Sequence, residues 1–422
     1  MVKKIQIDYI TKIEGHAKLY VKIDEGIVKD VRMEVFEGAR LFESLLIGKK
    51  YDEVPIITSR ICGVCPQAHS IASIDAIEKA FGHVPNKSIE TLRELLLIGQ
   101  IIKSHTLHLY FLALPDFFNK RSVIELAKEQ KEVLNLGIRL KKLSNEITTI
   151  IGGREIHSIT NIPGGFTKAP TDEELTTLQK NIKSSLEDSL EGIKLFSSFS
   201  VPDYSNKTEY LYLKKDENPN VKGTVICSDN ICNSVEKYAD LMNEFVEEYS
   251  SAKHVTIGEK SFFVGALSRI NQTLIPDDIK KILDKNSILF PSYNPYYNNL
   301  AQCIEIHILL QKAKDLIKKI DVGEVFHHKI TPKKGKAVSA LEAPRGILFH
   351  EYSFDDKGYV TKANIITPTT QNLKNMENDI MKILPSLLDK PEEKIKFELE
   401  KLIRAYDPCI SCSTHFLDVI WE

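Results

Sequence analysis

Two pairs of cysteines, each with two residues between its members, lie near opposite ends of the chain. The first pair is in RICGVCPQAH and the second is in DPCISCSTH; their members are Cys62, Cys65, Cys409 and Cys412. Two thiolates at this spacing can bind one metal ion together, because the backbone N–H groups of the turn between them lower the cost of their charge. A histidine follows each pair, His69 after the first and His415 after the second. The sequence therefore indicates a four-thiolate metal site.

A structural zinc ion is the simplest alternative for four such cysteines. Structural zinc usually stabilises a small domain without a large core, whereas this chain has 422 residues, of which 42% are hydrophobic. A metal held between the distant ends of a large protein is more typical of a catalytic centre. Of the other cysteines, Cys303 lies on an apolar helix face and is interpreted as a core residue. Cys227 and Cys232 lie in a strand-like segment and are also interpreted as structural.

The composition excludes several classes of partner. The 56 basic and 58 acidic residues give a net charge of -2, which lacks the basic excess that a nucleic-acid partner requires. The chain starts without the apolar segment of a secretion signal, and apolar runs such as YFLAL and LRELLLIG are short of a bilayer span. We therefore expect a cytoplasmic protein without membrane insertion. Seven cysteines in such a chain make a disulfide framework a poor explanation.

The elements that must position the cysteines change in type along the chain. The first stretch alternates polar and apolar residues, as in AKLYVKI and IVKDVRMEVF, which predicts a small antiparallel sheet. Apolar residues then recur every three or four positions, which predicts long helices; Pro115 would end the first, and Thr171 and Glu174 form a capping box for the third. Strand-like pieces and two more helices precede the second cysteine pair. The predicted long helices span 88–114, 122–153, 171–199 and 298–320.

The two cysteine motifs together resemble the signature pair of the nickel-iron hydrogenase large subunit. Their order and their distances from the chain ends match, and TKIEGHAKL, RLFESLLIGK, GGREIH, EAPRG and ITPTTQN agree through the whole chain. The resemblance implies one domain over 1–422, mainly α-helical, with a small N-terminal antiparallel sheet and peripheral strands around a central bundle of long helices. Its parts would be the N-terminal sheet with the first pair (1–87), the helical core (88–199), a mixed peripheral insert (200–297) and the C-terminal helices and strands with the second pair (298–422).

The resemblance also implies how the cysteines share two metals. Cys62 and Cys409 would be terminal ligands of nickel, and Cys65 and Cys412 would bridge nickel to iron. One carbon monoxide and two cyanides would complete the iron. Four soft thiolates suit a late transition metal with an open position. The implied reaction is the reversible, heterolytic oxidation of dihydrogen.

Two further residues correspond to family residues that handle the proton or contact a bridging sulfur. Glu14, in IEGH, resembles the glutamate that takes the proton from the thiolate of Cys409. Burial would raise the pKa of this carboxyl into a useful range. His69 would contact a bridging sulfur rather than bind metal directly.

A second group would surround the open position of the metals. Arg345, which follows Pro344 in EAPRG, resembles the arginine that lies over the open site and pairs with cyanide. Asp407 and Asp116 would hold this arginine. Thr369, in TPTTQN, resembles the hydroxyl residue that donates to the other cyanide.

A second metal site is also implied. Glu43 and His415 resemble the ligands of a magnesium or iron ion, with the backbone carbonyl of Ile365 as a further ligand; such an ion would hold the second cysteine pair in place. Family precursors commonly lose a C-terminal extension after the corresponding histidine, and here seven residues, FLDVIWE, follow His415. A short extension still attached and a tail that is kept are both consistent with this sequence.

The resemblance implies partners as well. An iron-sulfur small subunit would be obligate, because the cysteines left over lack cluster spacing. Maturation proteins, a C-terminal protease and a diaphorase or other acceptor subunit would complete the system. The CPQAH context is most similar to the soluble group that is linked to NAD(P), to F420 or to a disulfide reductase. The alternatives are an F420-non-reducing enzyme coupled to heterodisulfide reductase and a non-catalytic relative of the complex I type.

Overall fold

The N-terminal sheet forms as the alternating pattern predicts. In the computed structural model, which describes residues 2–215 and 218–414, three antiparallel strands lie in the order β1-β2-β3. Leu19 and Val21 of the middle strand point into the core, because every second residue of a strand faces the same side. The strands are β1 (Val2–Ile7), β2 (Ala17–Asp24) and β3 (Ile27–Val35).

The first cysteine pair lies in a loop between short helices and a long one. A single 3₁₀ turn, Ser59–Ile61, leads into Cys62. The next long helix starts directly after Cys65 with Pro66 at its first position, where the missing N–H costs no helical hydrogen bond. The helices of this part are α1 (Phe42–Leu46), α2 (Val54–Thr58) and α3 (Pro66–Phe81).

The predicted first and second long helices differ from the structure at their ends. The first continues beyond Pro115, because a π-helical turn over His108–Ala113 precedes this proline and α5 restarts around it. The predicted helix over 122–153 is broken in two. Residues 128–132, KEQKE, contain no apolar side chain that could hold this turn against the core. The helices are α4 (Lys87–Leu107), α5 (Leu114–Phe117), α6 (Val123–Ala127) and α7 (Lys131–Gly152).

The third long helix begins at the predicted capping box. The side chain of Thr171 accepts a hydrogen bond from the backbone of Glu174, whose side chain accepts one from the backbone of Thr171. A two-stranded ladder precedes it. These elements are β4 (Asn161–Ile162), β5 (Gly165–Phe166) and α8 (Asp172–Ser197).

The mixed region contains the predicted strands and a disulfide. Strand β12 pairs in parallel with β6, and β8 and β9 continue that sheet as a hairpin. Cys227 and Cys232 face each other across this hairpin and form a disulfide. Their interpretation as structural residues agrees with this, although the bond between them was not predicted from the sequence. The elements are β6 (Glu209–Lys215), β7 (Asn218–Pro219), β8 (Val225–Cys227), β9 (Cys232–Ser234), α9 (Tyr238–Leu241), β10 (Met242–Val246), β11 (Lys253–Ile257), β12 (Phe262–Val264), α10 (Ala266–Asn271) and α11 (Asp277–Lys285).

The C-terminal part completes the core. The fourth long helix, α12, carries Cys303, which is buried as predicted. An antiparallel sheet of three strands follows, of which the first was not predicted. Two helices then lead to the second cysteine pair. The elements are α12 (Asn298–Ile317), β13 (Gly335–Ala343), β14 (Gly346–Phe354), β15 (Val360–Ile366), α13 (Pro368–Ile383), α14 (Glu392–Ala405) and α15 (Ile410–Ser413).

Four long helices form the centre of the molecule. They pack in a ring, α4 on α7, α7 on α8, α8 on α12 and α12 on α4. The helical stretch 87–117 is long and apolar enough to cross a membrane, contrary to the expectation from short apolar runs. In its most apolar window 78% of the residues are buried inside the protein, as expected for a core helix. The helix bundle therefore forms a rigid support beside the two cysteine loops.

Candidate metal centre

The two cysteine pairs meet in the interior although 347 positions separate their corresponding members. The sulfur of Cys62 lies 3.4 Å from that of Cys409, and the sulfur of Cys65 lies 3.3 Å from that of Cys412. All four sulfurs lie within 4.8 Å of one another, and all four residues are buried. Within 2–215 and 218–414, they are the one cluster of histidine, cysteine and acidic side chains with this geometry. The predicted four-thiolate site is therefore formed.

The first loop is held mainly by its own turn and by α4. The backbone N–H groups of Val64 and Cys65 donate to the sulfur of Cys62 over 3.2 and 3.3 Å. Gln100 of α4 accepts from the N–H of Gln67 at 3.0 Å and donates to the carbonyl of Val64. These bonds stabilise negative charge on Cys62 and fix the loop against the bundle.

The second loop is held by residues that are distant in sequence. The N–H of Ile410 donates to the carbonyl of Glu14 at 2.9 Å, and the N–H of Cys409 donates to the hydroxyl of Thr369 at 2.9 Å. Arg40 joins the two loops, because its guanidinium donates to the carbonyl of Ile61 at 2.6 Å and to that of Ser411. Sequence reasoning missed Arg40, although Arg40 is the first residue of RLFESLLIGK, one of the stretches that resemble the family.

The sulfurs fit a soft metal ion. Hydrogen bonding with the other thiols, Cys409 first, lowers the pKa of the Cys62 thiol, while burial raises the pKa of the Cys412 thiol. Four thiol groups in contact away from water would repel one another as thiolates, so a bound cation is needed to keep all four ionised. Sulfur donors favour late transition metals over magnesium or calcium. The donor set therefore matches nickel and iron, and zinc as well.

A small cavity lies beside the sulfurs, and its polar lining is not what a structural zinc ion needs. It is bounded by an arginine, a threonine, a histidine and apolar side chains as well as by three of the cysteines. The lining residues are Cys65, His69, Ala343, Pro344, Arg345, Leu348, Pro368, Thr369, Cys409 and Cys412. A tetrahedral structural zinc site has no use for such space.

Arg345 is placed over this cavity by Asp407. Its Nε donates to the carbonyl of Asp407 at 2.7 Å, and its Nη2 donates to the carboxylate at 2.9 Å. The remaining nitrogen, Nη1, is buried and has no hydrogen-bond partner among the described residues. A buried guanidinium N–H without a partner is costly, so this atom marks a place for a polar ligand.

Asp116, the second acid expected to hold Arg345, has other partners. One carboxylate oxygen accepts from Nε of Arg404 at 2.5 Å, and the other pairs with Lys12. Both oxygens are thus used by other cations, because Asp116 lies at α5 and faces the N-terminus of the chain and α14. The expectation that Asp116 holds Arg345 is therefore corrected.

Glu14 lies beside the sulfur of Cys409, as expected. Its Oε2 accepts from the thiol of Cys409 at 3.2 Å and from the N–H of Ser411 at 3.0 Å. Burial, followed by the charge of Cys409, raises the pKa of Glu14 to about 8. A carboxyl with such a pKa exchanges its proton near neutral pH.

His69 lies behind Cys412 in a chain of buried polar groups. Its Nε2 is 3.9 Å from the sulfur of Cys412, and its Nδ1 is 3.0 Å from Nε2 of His350. The other nitrogen of His350 is 2.5 Å from the hydroxyl of Tyr352. Sequence reasoning missed His350 and Tyr352, although both lie in β14, whose sequence GILFHEYSF is strand-like.

The proposed second metal site is described in part. Oε1 of Glu43 accepts a hydrogen bond from the backbone N–H of Ile365 at 2.7 Å, so these two residues do meet. His415 and the tail after it lie outside the described residues. The role of Glu43, Ile365 and His415 as ligands stays a prediction.

Comparisons with known proteins agree with this geometry. Residues 40–137 and 297–415 match the nickel-dependent hydrogenase family, and residues 4–37 match the HoxL-like family. The alpha chain of sulfhydrogenase 1 from Pyrococcus furiosus is 36% identical and aligns over 97% of each chain. The matching chain of the vhu F420-non-reducing hydrogenase from Methanocaldococcus jannaschii is 33% identical over 89% of this chain and 97% of its own.

Two further comparisons extend to an NAD-linked enzyme and to solved structures. The beta chain of the NAD-reducing hydrogenase HoxS from Cupriavidus necator is 28% identical over 99% of this chain and 96% of its own. A solved NAD⁺-reducing [NiFe]-hydrogenase in the H₂-reduced state superposes with a TM-score of 0.88 at 25% identity, covering 98% and 99% of the two chains. A [NiFeSe]-hydrogenase of Dm. baculatum has the same fold, with a TM-score of 0.81 at 22% identity over 98% of this chain and 100% of its own.

Proposed function

The chain belongs to the nickel-dependent hydrogenase family as its catalytic large subunit, and from that premise we propose how its residues divide the work at a nickel-iron centre. Cys62 and Cys409 would hold nickel alone, and Cys65 and Cys412 would hold nickel and iron together. The cavity supports this division for Cys62, because both bridging candidates line the cavity and Cys62 does not; Cys409 lines it as well. Carbon monoxide and two cyanides would complete the iron, and Arg345 and Thr369 on the cavity wall are the polar groups they would meet.

Cys409 and Glu14 move the proton. When bound, the nickel-iron centre supplies the chemistry that splits dihydrogen into protons and electrons. The thiol of Cys409 then lies 3.2 Å from the carboxylate of Glu14, within reach of direct proton transfer. The N–H of Ser411 holds the same oxygen in place.

Arg345 and Thr369 form the polar side of the cavity. The free Nη1 of Arg345 would donate to a polar ligand on the metals, and Asp407 keeps the guanidinium in its orientation. Pro344 fixes the backbone before the arginine. Thr369 bonds to the N–H of Cys409, which leaves its own hydroxyl hydrogen available to a second cyanide.

Glu43, His415 and the carbonyl of Ile365 hold a magnesium or iron ion beside the second loop. The contact between Glu43 and Ile365 supports this assignment, because it places a carboxylate against the strand that would provide the carbonyl. Carboxylate, carbonyl and imidazole donors suit such an ion.

Electrons leave through other subunits. Among the described residues, Cys303 is the one free cysteine outside the four-sulfur site, so this part of the chain offers no iron-sulfur ligands. The immediate partner we assign is an iron-sulfur small subunit, with a diaphorase and NAD(P) as the next acceptor, in a cytoplasmic complex matured by dedicated proteins. An F420-non-reducing enzyme coupled to heterodisulfide reductase is the alternative, favoured by the relative from Methanocaldococcus jannaschii.

The observation that carries the proposal is the meeting of four sulfurs from opposite chain ends. The test is metal analysis and infrared spectroscopy of the enzyme purified with its partner subunits, together with its H₂-uptake rate. About one nickel and one additional iron per chain, with metal-bound carbonyl and cyanide bands, are expected. Zinc alone without these bands would refute the proposal.

A further inference from the structure

Two buried chains of side chains run from the helix bundle to Arg345. Both start at a histidine of the helical segment that begins with α4, cross α12 and end at the backbone or the carboxylate that holds this arginine. We call them the Glu305 chain and the Gln302 chain, after their members on α12. Their residues are His105, Glu305 and Arg269 in the first, and His108, Gln302 and Asp407 in the second.

The Glu305 chain holds the turn before Arg345. Nε2 of His105 lies 2.7 Å from Oε2 of Glu305, and the carboxylate of Glu305 accepts two hydrogen bonds from Arg269, at 2.5 and 2.6 Å. Arg269 then donates to the carbonyl of Pro344 at 3.0 Å and pairs with Glu342 at 2.7 Å. The bidentate pair between Arg269 and Glu305 fixes the direction of the guanidinium as well as its distance. The backbone that carries Arg345 is therefore tied to α12.

The Gln302 chain holds the carboxylate opposite Arg345. Nδ1 of His108 lies 2.7 Å from Oε1 of Gln302, and Nε2 of Gln302 donates to Oδ2 of Asp407 at 3.0 Å. The other oxygen of Asp407 accepts from Arg345. Gln302 thus bonds to Oδ2 of Asp407, and Oδ1 remains for Arg345.

The spacing of both chains follows from helix geometry. His105, in α4, and His108, the first residue of the π-helical turn after α4, are three residues apart, as are Gln302 and Glu305 on α12. Each pair therefore presents neighbouring side chains on one side of its helical segment. All four side chains are buried. Although burial raises the pKa of Glu305, the charge of Arg269 lowers it to about 2, so this carboxylate stays ionised.

We propose that Gln302 and Glu305 are positioning residues that set where the guanidinium of Arg345 stands over the four-sulfur cavity. The inference rests on the role proposed for Arg345 above. Arg345 is held at two points, by the carboxylate of Asp407 and through the backbone of Pro344. Both points are anchored to α12, because Gln302 bonds to Asp407 and Glu305 pairs with Arg269, which bonds to Pro344. The unpartnered Nη1 stays aimed at the cavity because the other nitrogens and the backbone have fixed partners.

A double-mutant cycle in the complete enzyme tests this proposal. Gln302→Leu and Glu305→Gln, each near the original in size, should lower kcat by roughly 10- to 100-fold, as expected when a polar group is misplaced by about 1 Å. The infrared bands of the metal-bound cyanides should shift, while nickel content stays unchanged. In an Arg345→Lys background neither substitution should lower kcat further, because the group that it positions has already been replaced.

Ser189→Ala is the matched control, because it removes a buried hydrogen bond to His307 of the same α12 that does not lead to Arg345. It should leave kcat and the infrared bands unchanged. If Gln302→Leu does not assemble, Gln302→Asn, which keeps a polar amide but shortens the reach, replaces it with the same expected shift. Losses that add to that of Arg345→Lys, or full activity in both single variants, would overturn the positioning role. Full activity of Arg345→Lys alone would refute the role of Arg345 itself.

Discussion

The two cysteine loops contribute equally to the four-sulfur site but are held in different ways. The first loop is bound by its own turn, by α3 that starts inside it, and by Gln100 of the adjacent α4. The second is bound by Glu14, Arg40 and Thr369, which lie 40 to 397 positions away in sequence. The first loop can therefore form with its local helices, whereas the second requires the N-terminal segment and the C-terminal helices to be in place. The second loop is thus the part that closes the site.

Loss of the sulfur of Cys412, which we propose to be a bridging ligand, should have the largest effect on the site. Cys412→Ser replaces a soft thiolate with a hydroxyl that is a poor ligand for nickel and iron. H₂ uptake should disappear, and nickel in the purified enzyme should fall below roughly one tenth of the wild-type content, since binding depends on the full donor set. Elemental analysis checks this outcome. Cys303→Ser, at a buried cysteine outside the site, should retain nickel; equal loss in both variants would contradict the assignment.

Removal of the acid group that touches the second loop should come next. Glu14→Gln keeps an oxygen that can accept from the N–H of Ser411 but removes the carboxyl that we propose to take the proton from Cys409. We expect H₂ uptake to fall by about 10² to 10⁴-fold, the usual contribution of a positioned acid or base. Nickel content and thermal unfolding temperature should not change. If Glu14→Gln stays active, the proton leaves Cys409 by another route.

Gly15 tests how closely the second loop must approach the N-terminal segment. Its φ is +84°, and a Cβ there would lie 2.7 Å from Cβ of Ile410. Gly15→Ala should therefore destabilise the protein by about 1–2 kcal/mol for the left-handed backbone and by a further ~1–3 kcal/mol for the clash.

Gly48→Ala separates the two contributions, because Gly48 has a φ of +77° with open space around it. Only the backbone contribution is expected in this variant. The comparison is made by thermal unfolding and by nickel retention after dialysis. Equal effects of Gly15→Ala and Gly48→Ala would show that the second loop does not depend on this approach.

The smallest expected effect is at a single hydrogen bond of the second loop. Thr369→Val removes the acceptor of the N–H of Cys409 while keeping the shape of the side chain. A loss of about 1–2 kcal/mol in the free energy of unfolding follows from leaving a buried N–H without a partner. Thr148→Val, at a threonine of α7 that bonds to the carbonyl of Asn145 in its own helix, is the control. A chemical denaturation series measures both; an unchanged value for Thr369→Val would weaken the contrast between the loops.

The sequence predicted the residues that line the site better than the residues that hold them in place. Motif spacing and family resemblance located the four cysteines, Glu14 and Arg345, because these residues stand in short, recognisable stretches. Resemblance assigned Asp116 to the wrong arginine, since the sequence does not show that Arg404 lies closer. The supports Gln302 and Glu305 lie in an apolar helix pattern, where a buried polar residue becomes meaningful only once the facing elements are known.

The same limit applies to the fold. The periodicity of apolar residues predicted the N-terminal sheet and the four long helices, because the strands and the helices both bury one face in the core. It did not show the break between α6 and α7. This break occurs at residues 128–132, KEQKE, which carry no apolar side chain that could pack against the core. Nor did it show the disulfide of Cys227 and Cys232, because their pairing depends on the hairpin register of β8 and β9.

The central claim is that sulfurs from both chain ends enclose one nickel-iron centre. X-ray absorption at the nickel edge of the assembled enzyme tests it most directly. We expect a first shell of about four sulfur neighbours that involves both loops, so that Cys62→Ser and Cys409→Ser each remove nickel or replace one sulfur in that shell. A nickel shell of nitrogen and oxygen neighbours, or a sulfur shell unchanged in Cys409→Ser, would contradict the account.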